Sequence, residues 1–282
     1  GETVPISYPP TTDEQDAVNA AAALEEAEAP GYVPTTQRGQ VWRLGQHRVM
    51  CGDSASADDV AALVGPETPT MMVTDPPYGV AYDTSGQHPS WRSDNKPMAN
   101  DDLGRDQEAW WQACFERWRW PGDTYVFAPS GPPMAPLAAA IQAAGVEMHQ
   151  WLVWAKDRFV LSGAHFHYRH EHIFYGWRSP TSFNGDRNLD SVWECKRPSA
   201  SPDHPTTKPV ELVERAVQAS SRPGGIVADP FLGSGTTVLA CEKLGRRCFG
   251  MEIEPRYVDV AVRRWELYTG GKAELMAADA DL

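Results

Sequence analysis

Short apolar runs alternate with longer amphipathic segments from about residue 40 onward. Apolar runs bounded by turn residues predict strands, and apolar residues spaced i, i+3, i+4, i+7 predict helices. Helical spacing is clear at Trp111, Cys114, Phe115 and Trp118. Strands are predicted over residues 41–51, 70–74, 124–128, 151–154, 171–175, 225–228 and 247–251. Helices are predicted over residues 57–64, 106–120, 134–144, 208–220, 236–244 and 257–268.

This alternation predicts an α/β fold, with a mixed, mostly parallel seven-stranded sheet of Rossmann-like form and helices on both faces. Ligands of such sheets bind at the carboxyl ends of the strands. Residues 39–270 form the predicted domain, followed by a tail over 271–282. Two irregular stretches, about 79–106 and 178–207, are longer than ordinary connections and are expected to be functional insertions.

Residues 1–38 have a different composition from the rest of the chain. They are rich in Pro, Thr, Ala and Glu and poor in large apolar side chains. Such segments bury too little surface to offset the entropy of ordering. An acidic flexible arm or linker is therefore predicted, with a short helix over residues 16–29.

Bulk composition narrows the class of protein. The 282 residues are 41% hydrophobic, without an apolar run long enough for a membrane span, so a cytoplasmic globular protein is expected. The five cysteines are odd in number and lack C-x-x-C spacing, which argues against a disulfide framework and a zinc site.

The formal net charge of −13 opposes binding to nucleic-acid phosphates. Its distribution weakens this objection, since residues 1–38 alone contribute −6, from seven acidic side chains and one arginine. Residues 156–208 carry eight basic and six acidic side chains, a balance of +2. Any nucleic-acid face is therefore expected in that middle stretch.

The segment from Asp229 to Thr237 reads DPFLGSGTT and joins a predicted strand to a helix. Free N–H groups and the helix dipole favour a negative group there. Glu252 ends the next strand, where a carboxylate binds ribose hydroxyls in nucleotide-binding folds. Val238 replaces the third glycine of G-x-G-x-x-G, which favours a ligand without pyrophosphate, such as S-adenosylmethionine. An ordinary tight turn is the alternative.

Asp75, Pro76, Pro77 and Tyr78 follow another predicted strand. A carboxylate and a rigid backbone carbonyl accept hydrogen bonds from an exocyclic amino group, and the tyrosine ring stacks on an extruded base. The tetrapeptide therefore predicts a site for the N6 of adenine or the N4 of cytosine. A turn that closes the strand is the alternative.

With these motifs in this order, the chain resembles the β-order amino-group DNA methyltransferases, over about residues 39–268. Residues 168–177 (YRHEHIFYGW) and 204–209 (HPTTKP) look especially like strings in phage and prophage adenine methylases. The resemblance implies a methyltransferase sheet with circularly permuted motif order, S-adenosylmethionine as cofactor, double-stranded DNA as substrate and no metal. It further suggests a restriction-modification setting.

The resemblance also implies a set of cofactor contacts. Asp53 would contact the adenine of the cofactor, the 204–208 segment would close over its methionine end, and Phe231 and Ile253 would line its pocket. For the 204–208 segment, a polar run that caps the following helix is the alternative. The complete expected set is Asp53, His204, Thr206, Lys208, Asp229, Phe231, Gly233, Ser234, Gly235, Thr236, Glu252 and Ile253.

DNA contacts are expected from basic side chains in and near the two insertions, although solvated surface charge is the alternative for each. They are Arg92, Lys96, Lys156, Arg158, Arg178, Arg187, Lys196 and Arg197. The second insertion is short, which suggests a short or relaxed target sequence, or recognition completed by a second copy of the chain in a homodimer. The tryptophans of 110–120 are expected in the core, and the histidines of 165–172 are expected to decorate a strand.

An S-adenosylmethionine-dependent adenine-N6 DNA methyltransferase is therefore predicted. Asp75 favours adenine, because related cytosine-N4 enzymes more often carry Ser in that place. Cytosine N4 remains an alternative. So do RNA adenosine, whose related enzymes usually carry Trp in the place of Tyr78, and a non-catalytic scaffold.

Overall fold

The computed structural model describes residues 13–78, 106–159, 165–186, 188–196 and 208–277. Its strands are β1 (Val41–Leu44), β2 (His47–Cys51), β3 (Met71–Thr74), β4 (Gly122–Ala128), β5 (Glu147–Ala155), β6 (His170–Arg178), β7 (Val192–Glu194), β8 (Ile226–Asp229), β9 (Arg247–Glu252) and β10 (Glu274–Leu275). Its helices are α1 (Asp13–Glu28), α2 (Ala57–Val64), α3 (Gln107–Arg117), α4 (Met134–Ala143), α5 (Val210–Ser220), α6 (Thr236–Leu244) and α7 (Pro255–Thr269).

All these strands form one sheet in the order β10-β1-β2-β9-β8-β3-β4-β6-β5-β7. The pairs β2/β9, β9/β8, β8/β3, β3/β4 and β5/β7 are parallel, whereas β6 is antiparallel to both of its neighbours. The predicted mixed, mostly parallel α/β sheet is thereby confirmed. The carboxyl ends of β2, β9, β8 and β3 all lie at one edge of the sheet.

The sheet has ten strands among the described residues, not the seven expected. The run over 41–51 is a hairpin of two strands, because Gly45 has a φ of 58° and forms a two-residue turn with Gln46. Strands β7 and β10 are the other two additions, with three and two residues. Strands of two or three residues are too short to show a recognisable alternation of apolar and polar residues in the sequence.

Alternate residues of the central strands face two separate cores. Val73 of β3 faces a core with α5, α6 and α7, whereas Met72 faces a core with α2, α3 and α4. Covering both faces leaves the edge formed by the strand ends as the open part of the sheet. No helix in the described ranges has the length and apolarity needed to cross a membrane.

Helix α1 belongs to the segment expected to be a flexible arm. It packs on α7, where Ala23, Leu24 and Ala27 bury against Val260. A buried ion pair joins Asp16 to Arg264, with 3.1 Å between the carboxylate oxygen and Nη2. From Asp13 onward, the described part of this segment is therefore docked on the domain.

Candidate active site

A cavity of about 200 Å³ opens at the carboxyl ends of β2, β3, β8 and β9. Both sequence motifs contribute to its wall, as the strand directions predict. The expected site residues along this wall are Asp53, Asp75, Pro76, Pro77, Tyr78, Lys208, Asp229, Phe231, Gly233, Ser234, Thr236, Glu252 and Ile253. His204 and Thr206 lie outside the described residues.

Asp229 links the two motifs. Its side chain is only 3% exposed and accepts hydrogen bonds from the hydroxyls of Thr74, at 2.7 Å, and Thr237, at 2.6 Å. Thr74 immediately precedes the catalytic candidate Asp75. Burial raises the pKa of Asp229 to about 6, although the two hydroxyl donors oppose the rise. This carboxylate therefore fastens the glycine turn to the end of β3.

The glycine turn has two glycines with different tasks. Gly233 borders the cavity, and its N–H donates to Glu252 Oε2 at 2.9 Å. Gly235 is not part of the cavity wall; it has a φ of 85°, and a Cβ there would stand 2.8 Å from Cβ of Ala261. The missing side chain of Gly235 makes room for α7, and the expected contact of Gly235 with the cofactor stays a prediction.

Glu252 stands at the end of β9, as expected for a ribose-binding carboxylate. One oxygen accepts the N–H of Gly233 and the other accepts the N–H of Glu254, each at 2.9 Å. Burial raises the pKa of Glu252 to about 7, although the two N–H donors oppose the rise. Asp53 follows β2 on the same wall and accepts the N–H of Ala55 at 2.9 Å.

The cavity also has an apolar side, of which Phe231 was expected from the sequence but its neighbours were not. Trp110 lies against Phe231, with ring centroids 5.4 Å apart, and both rings line the cavity. Leu24 of α1 and Tyr257 of α7 line it as well. Trp110 was expected in the core, and only its neighbours Trp111, Trp118 and Trp120 are buried there.

Asp75 and Tyr78, which follow β3, form the catalytic candidate. The phenol of Tyr78 donates to Asp75 Oδ1 at 2.6 Å. Trp111 donates from Nε1 to the carbonyl of Pro77 at 2.9 Å, which ties the rigid Pro-Pro turn to α3. The turn is thus held from two sides, and its acceptors are preorganised.

Lys208 contacts the second oxygen of Asp75, with 2.5 Å between Nζ and Oδ2. Glu171 of β6 lies 3.4 Å from the same ammonium and pairs with Lys156 at 2.5 Å. Burial alone would lower the pKa of Lys208, but the carboxylates of Asp75 and Glu171 raise it above its ordinary value. Glu171 was not foreseen as a site residue, since nothing in its spacing relates it to Asp75.

The expected DNA contacts separate into three groups. Lys156 is buried beside Glu171, and Arg178 donates to the carbonyls of Phe115, Trp118 and Ala144; both are corrected to structural roles. Arg158 and Lys196 are exposed. The remaining candidates lie outside the described ranges, and they are Arg92, Lys96, Arg187 and Arg197.

Solved structures share this fold. The M1.HpyAVI–S-adenosylmethionine complex has a TM-score of 0.53 and 24% identity, covering 70% of this chain and 88% of its own. TTHA0409 from Thermus thermophilus, complexed with S-adenosyl-L-methionine, has a TM-score of 0.55 and 20% identity, covering 80% and 96%. The PvuII DNA methyltransferase, named as cytosine-N4-specific, has a TM-score of 0.57 and 15% identity, covering 83% and 89%.

Curated relatives are Type II methyltransferases. M.XycI of Xanthomonas campestris pv. cyanopsidis is 34% identical over 156 residues, covering 50% of this chain and 52% of the relative. M.HpaI of Haemophilus parainfluenzae is 28% identical over 219 residues, covering 69% and 67%. The chain spans about half the length of M.XycI and of M.Cfr9I of Citrobacter freundii.

The DNA methylase family model matches residues 70–263, which include the Asp75 motif, the glycine turn and Glu252. The expected cofactor, S-adenosylmethionine, is confirmed at the level of this family. The chain belongs to the N6/N4 DNA methylase family.

Proposed function

We propose that this chain transfers a methyl group from S-adenosylmethionine to an exocyclic amino group of a flipped-out base in double-stranded DNA, and that the base is adenine. The observation that carries the proposal is the single cavity shared by Asp75 and the glycine turn. Direct methyl transfer requires that the target amino group and the cofactor bind next to each other in one cavity.

The cofactor wall has the donors and acceptors that a nucleoside with an amino-acid tail requires. Glu252 presents a carboxylate for ribose hydroxyls, Asp53 presents one for the adenine amino group, and Phe231 with Trp110 presents a flat apolar surface for the ring. S-adenosylmethionine supplies the methyl group when it is bound there.

At the end of β3, Asp75 and the carbonyl of Pro76 are the acceptors for the two amino hydrogens. Holding both hydrogens draws the nitrogen lone pair out of conjugation and aims it along one line. The face of Tyr78 stacks on the extruded base. As the nitrogen–carbon bond forms, the bond from the methyl carbon to the sulfonium sulfur breaks and S-adenosylhomocysteine is the leaving group. One amino proton then leaves the nitrogen, and the Asp75 carboxylate is the base proposed to receive it.

Adenine is favoured by the acidic first residue of the tetrapeptide. Cytosine N4 is the second candidate, because the similarly folded PvuII enzyme is named as cytosine-N4-specific. A homodimer that completes DNA recognition and a short target sequence are parts of the same proposal.

The test incubates the protein with methyl-labelled cofactor and unmethylated plasmid, followed by digestion to nucleosides. N6-methyladenine supports the proposal, N4-methylcytosine supports the second candidate, and label found only in RNA or nowhere contradicts both. Asp75→Ala should reduce transfer by at least about 100-fold, because it removes a preorganised acceptor.

Binding of S-adenosylhomocysteine to the Asp75→Ala variant should stay within about threefold of wild type, since the proposed cofactor carboxylates Asp53 and Glu252 lie at the carboxyl ends of other strands, β2 and β9. Glu147→Ala is the matched control, because that carboxylate is 71% exposed at the start of β5. An Asp75→Ala variant that methylates as fast as the control would refute the assigned role.

A further inference from the structure

A line of alternating charges runs from the proposed base site into the interior of the protein. It starts at the Tyr78 phenol on Asp75 and continues through Lys208 and Glu171 to Lys156. Lys208, Glu171 and Lys156 have side chains 11%, 19% and 7% exposed, so solvent screens this line poorly. The proposed methyl transfer to an amino group uses only its first two members.

Both oxygens of Asp75 are already engaged in this arrangement. Oδ1 accepts the Tyr78 phenol at 2.6 Å, and Oδ2 lies 2.5 Å from Lys208 Nζ. The same ammonium stands 5.8 Å from the centroid of the Tyr78 ring, which is the proposed stacking surface. An amino group that binds to Asp75 therefore competes with donors that are already there, and the bulky Lys208 ammonium on Oδ2 is the one whose removal frees a whole oxygen.

Moving the Lys208 ammonium away from Asp75 is costly unless another acceptor takes it. A buried charge that loses its partner costs several kcal/mol, whereas a charge passed between two carboxylates keeps its compensation. The second carboxylate is present, because Glu171 Oε2 lies 3.4 Å from Lys208 Nζ. Apart from this long contact, the buried oxygen has no hydrogen-bond partner among the described residues, so it can accept a closer approach of the ammonium.

Glu171 is itself held in place from the far side. Lys156 Nζ contacts Oε1 at 2.5 Å and lies 4.8 Å from the ring centroid of Trp154. Burial alone would raise the pKa of Glu171, but the ammonium groups of Lys208 and Lys156 hold it below its ordinary value. The carboxylate is therefore anionic at neutral pH, with one oxygen fixed and the other facing Lys208.

We propose that Glu171, anchored by Lys156, is a positioning residue that receives the Lys208 ammonium when the amino group of the target base takes its place on Asp75. This role rests on the proposed methyl transfer to an amino group. It belongs to a residue outside both the Asp75 motif and the glycine turn. Glu171 acts through Lys208 and does not touch the base.

The test measures single-turnover methyl transfer at saturating cofactor for E171Q, K208M and the E171Q/K208M double variant. E171Q retains the shape of the side chain but accepts the ammonium poorly, so Lys208 stays on Asp75 and the rate should fall about 100-fold. In the K208M background there is no ammonium group for Glu171 to receive. E171Q should therefore change the rate of that background less than about twofold. Affinity for S-adenosylhomocysteine should differ less than about threefold between E171Q and wild type.

A control for the general loss of an ion pair is E214Q, since Glu214 pairs with Lys243 at 2.5 Å between α5 and α6. E214Q should transfer methyl groups at the wild-type rate. If E171Q does not fold, E171D withdraws the carboxylate by one methylene and should slow the wild-type background but not the K208M background.

Two results would overturn the role of Glu171. One is a wild-type rate for E171Q, and the other is an equal loss from E171Q in both backgrounds, as a purely structural effect would give. A wild-type protein that transfers no methyl group to DNA would overturn the proposed function first, and the role of Glu171 with it.

Discussion

Among single residues, Glu252 is the proposed ribose-binding carboxylate, and this proposed role implies that cofactor binding depends on pH. Its pKa of about 7 in the free protein lies above the ordinary value for a glutamate. Ribose hydroxyls donate hydrogen bonds and therefore favour the ionised carboxylate. Below pH 7 the free protein holds a proton that ribose binding must release.

We therefore predict that affinity for S-adenosylhomocysteine rises with pH between about 5.5 and 7 and levels off above that range. The slope approaches tenfold per pH unit below the pKa, because one proton is released for each ligand bound. Glu252→Gln should bind more weakly and lose most of this slope. Isothermal titration calorimetry at pH 5.5, 6.5 and 8 measures both, and a wild-type affinity that is constant over this range would contradict the prediction.

Residues inside a motif could be placed from the sequence, because a motif fixes which strand end carries them. The meeting of Asp75 with the glycine turn follows from two parallel strands that end at one edge. Residues that reach the site from elsewhere could not be placed in this way. The place of Trp110 depends on how α3 packs on the sheet, and the place of Glu171 depends on the position of β6 within the sheet. Local spacing carries no record of either.

Among the secondary-structure elements, α1 is linked to the glycine turn through the side chain of Arg264. Arg264 of α7 is 1% exposed; Nη2 donates to Asp16 of α1, and Nη1 donates to the carbonyl of Ser234 at 2.6 Å and to its hydroxyl at 3.0 Å. Leu24, two turns further along α1, lines the cavity. The docking of α1 and the conformation of the glycine turn therefore depend on each other.

Asp16→Asn should destabilise the protein by about 3 kcal/mol, because it leaves the buried guanidinium of Arg264 without its carboxylate. It should also weaken binding of S-adenosylhomocysteine by about threefold or more, because Arg264, which donates to Ser234 of the glycine turn, is no longer held in place by Asp16. Urea unfolding and calorimetry measure the two effects. Val18→Ala is the control, since Val18 is 51% exposed on the same helix. Equal behaviour of the two variants would show that α1 is not coupled to the turn.

Most helices and central strands match their predicted positions within a few residues. Helices α2 and α6 match completely, and each ends at a glycine, Gly65 or Gly245. The packing of α1 could not be foreseen, since its sequence has only small apolar residues and one leucine. Its burial depends on a complementary surface of α7 that lies more than 200 residues away.

At the scale of the whole molecule, sheet topology decides which basic side chains share an edge with Asp75. Strands β5 and β7 run parallel to each other, and β5 runs parallel to β4 through the antiparallel β6 between them. Arg158 and Lys196 follow the carboxyl ends of β5 and β7 and thus lie at the edge that carries Asp75. Lys272 precedes β10 at the other end of the sheet, beside β1.

Arg158→Ala and Lys196→Ala should each make the dependence of DNA affinity on salt less steep. Each phosphate contact contributes about −0.9 to the slope of log K against log[salt], so losing one contact removes that amount. Lys272→Ala is the matched control, since this side chain is 83% exposed and far from the Asp75 edge; its slope should equal that of wild type.

Fluorescence anisotropy with a duplex from 50 to 200 mM salt provides the slopes. Because the chain carries a net charge of −13, non-specific attraction to DNA is weak, and a change of one contact stands out against a small background. Slopes that fall equally for all three variants would mean that DNA responds to overall charge and that the Asp75 edge is not its docking face.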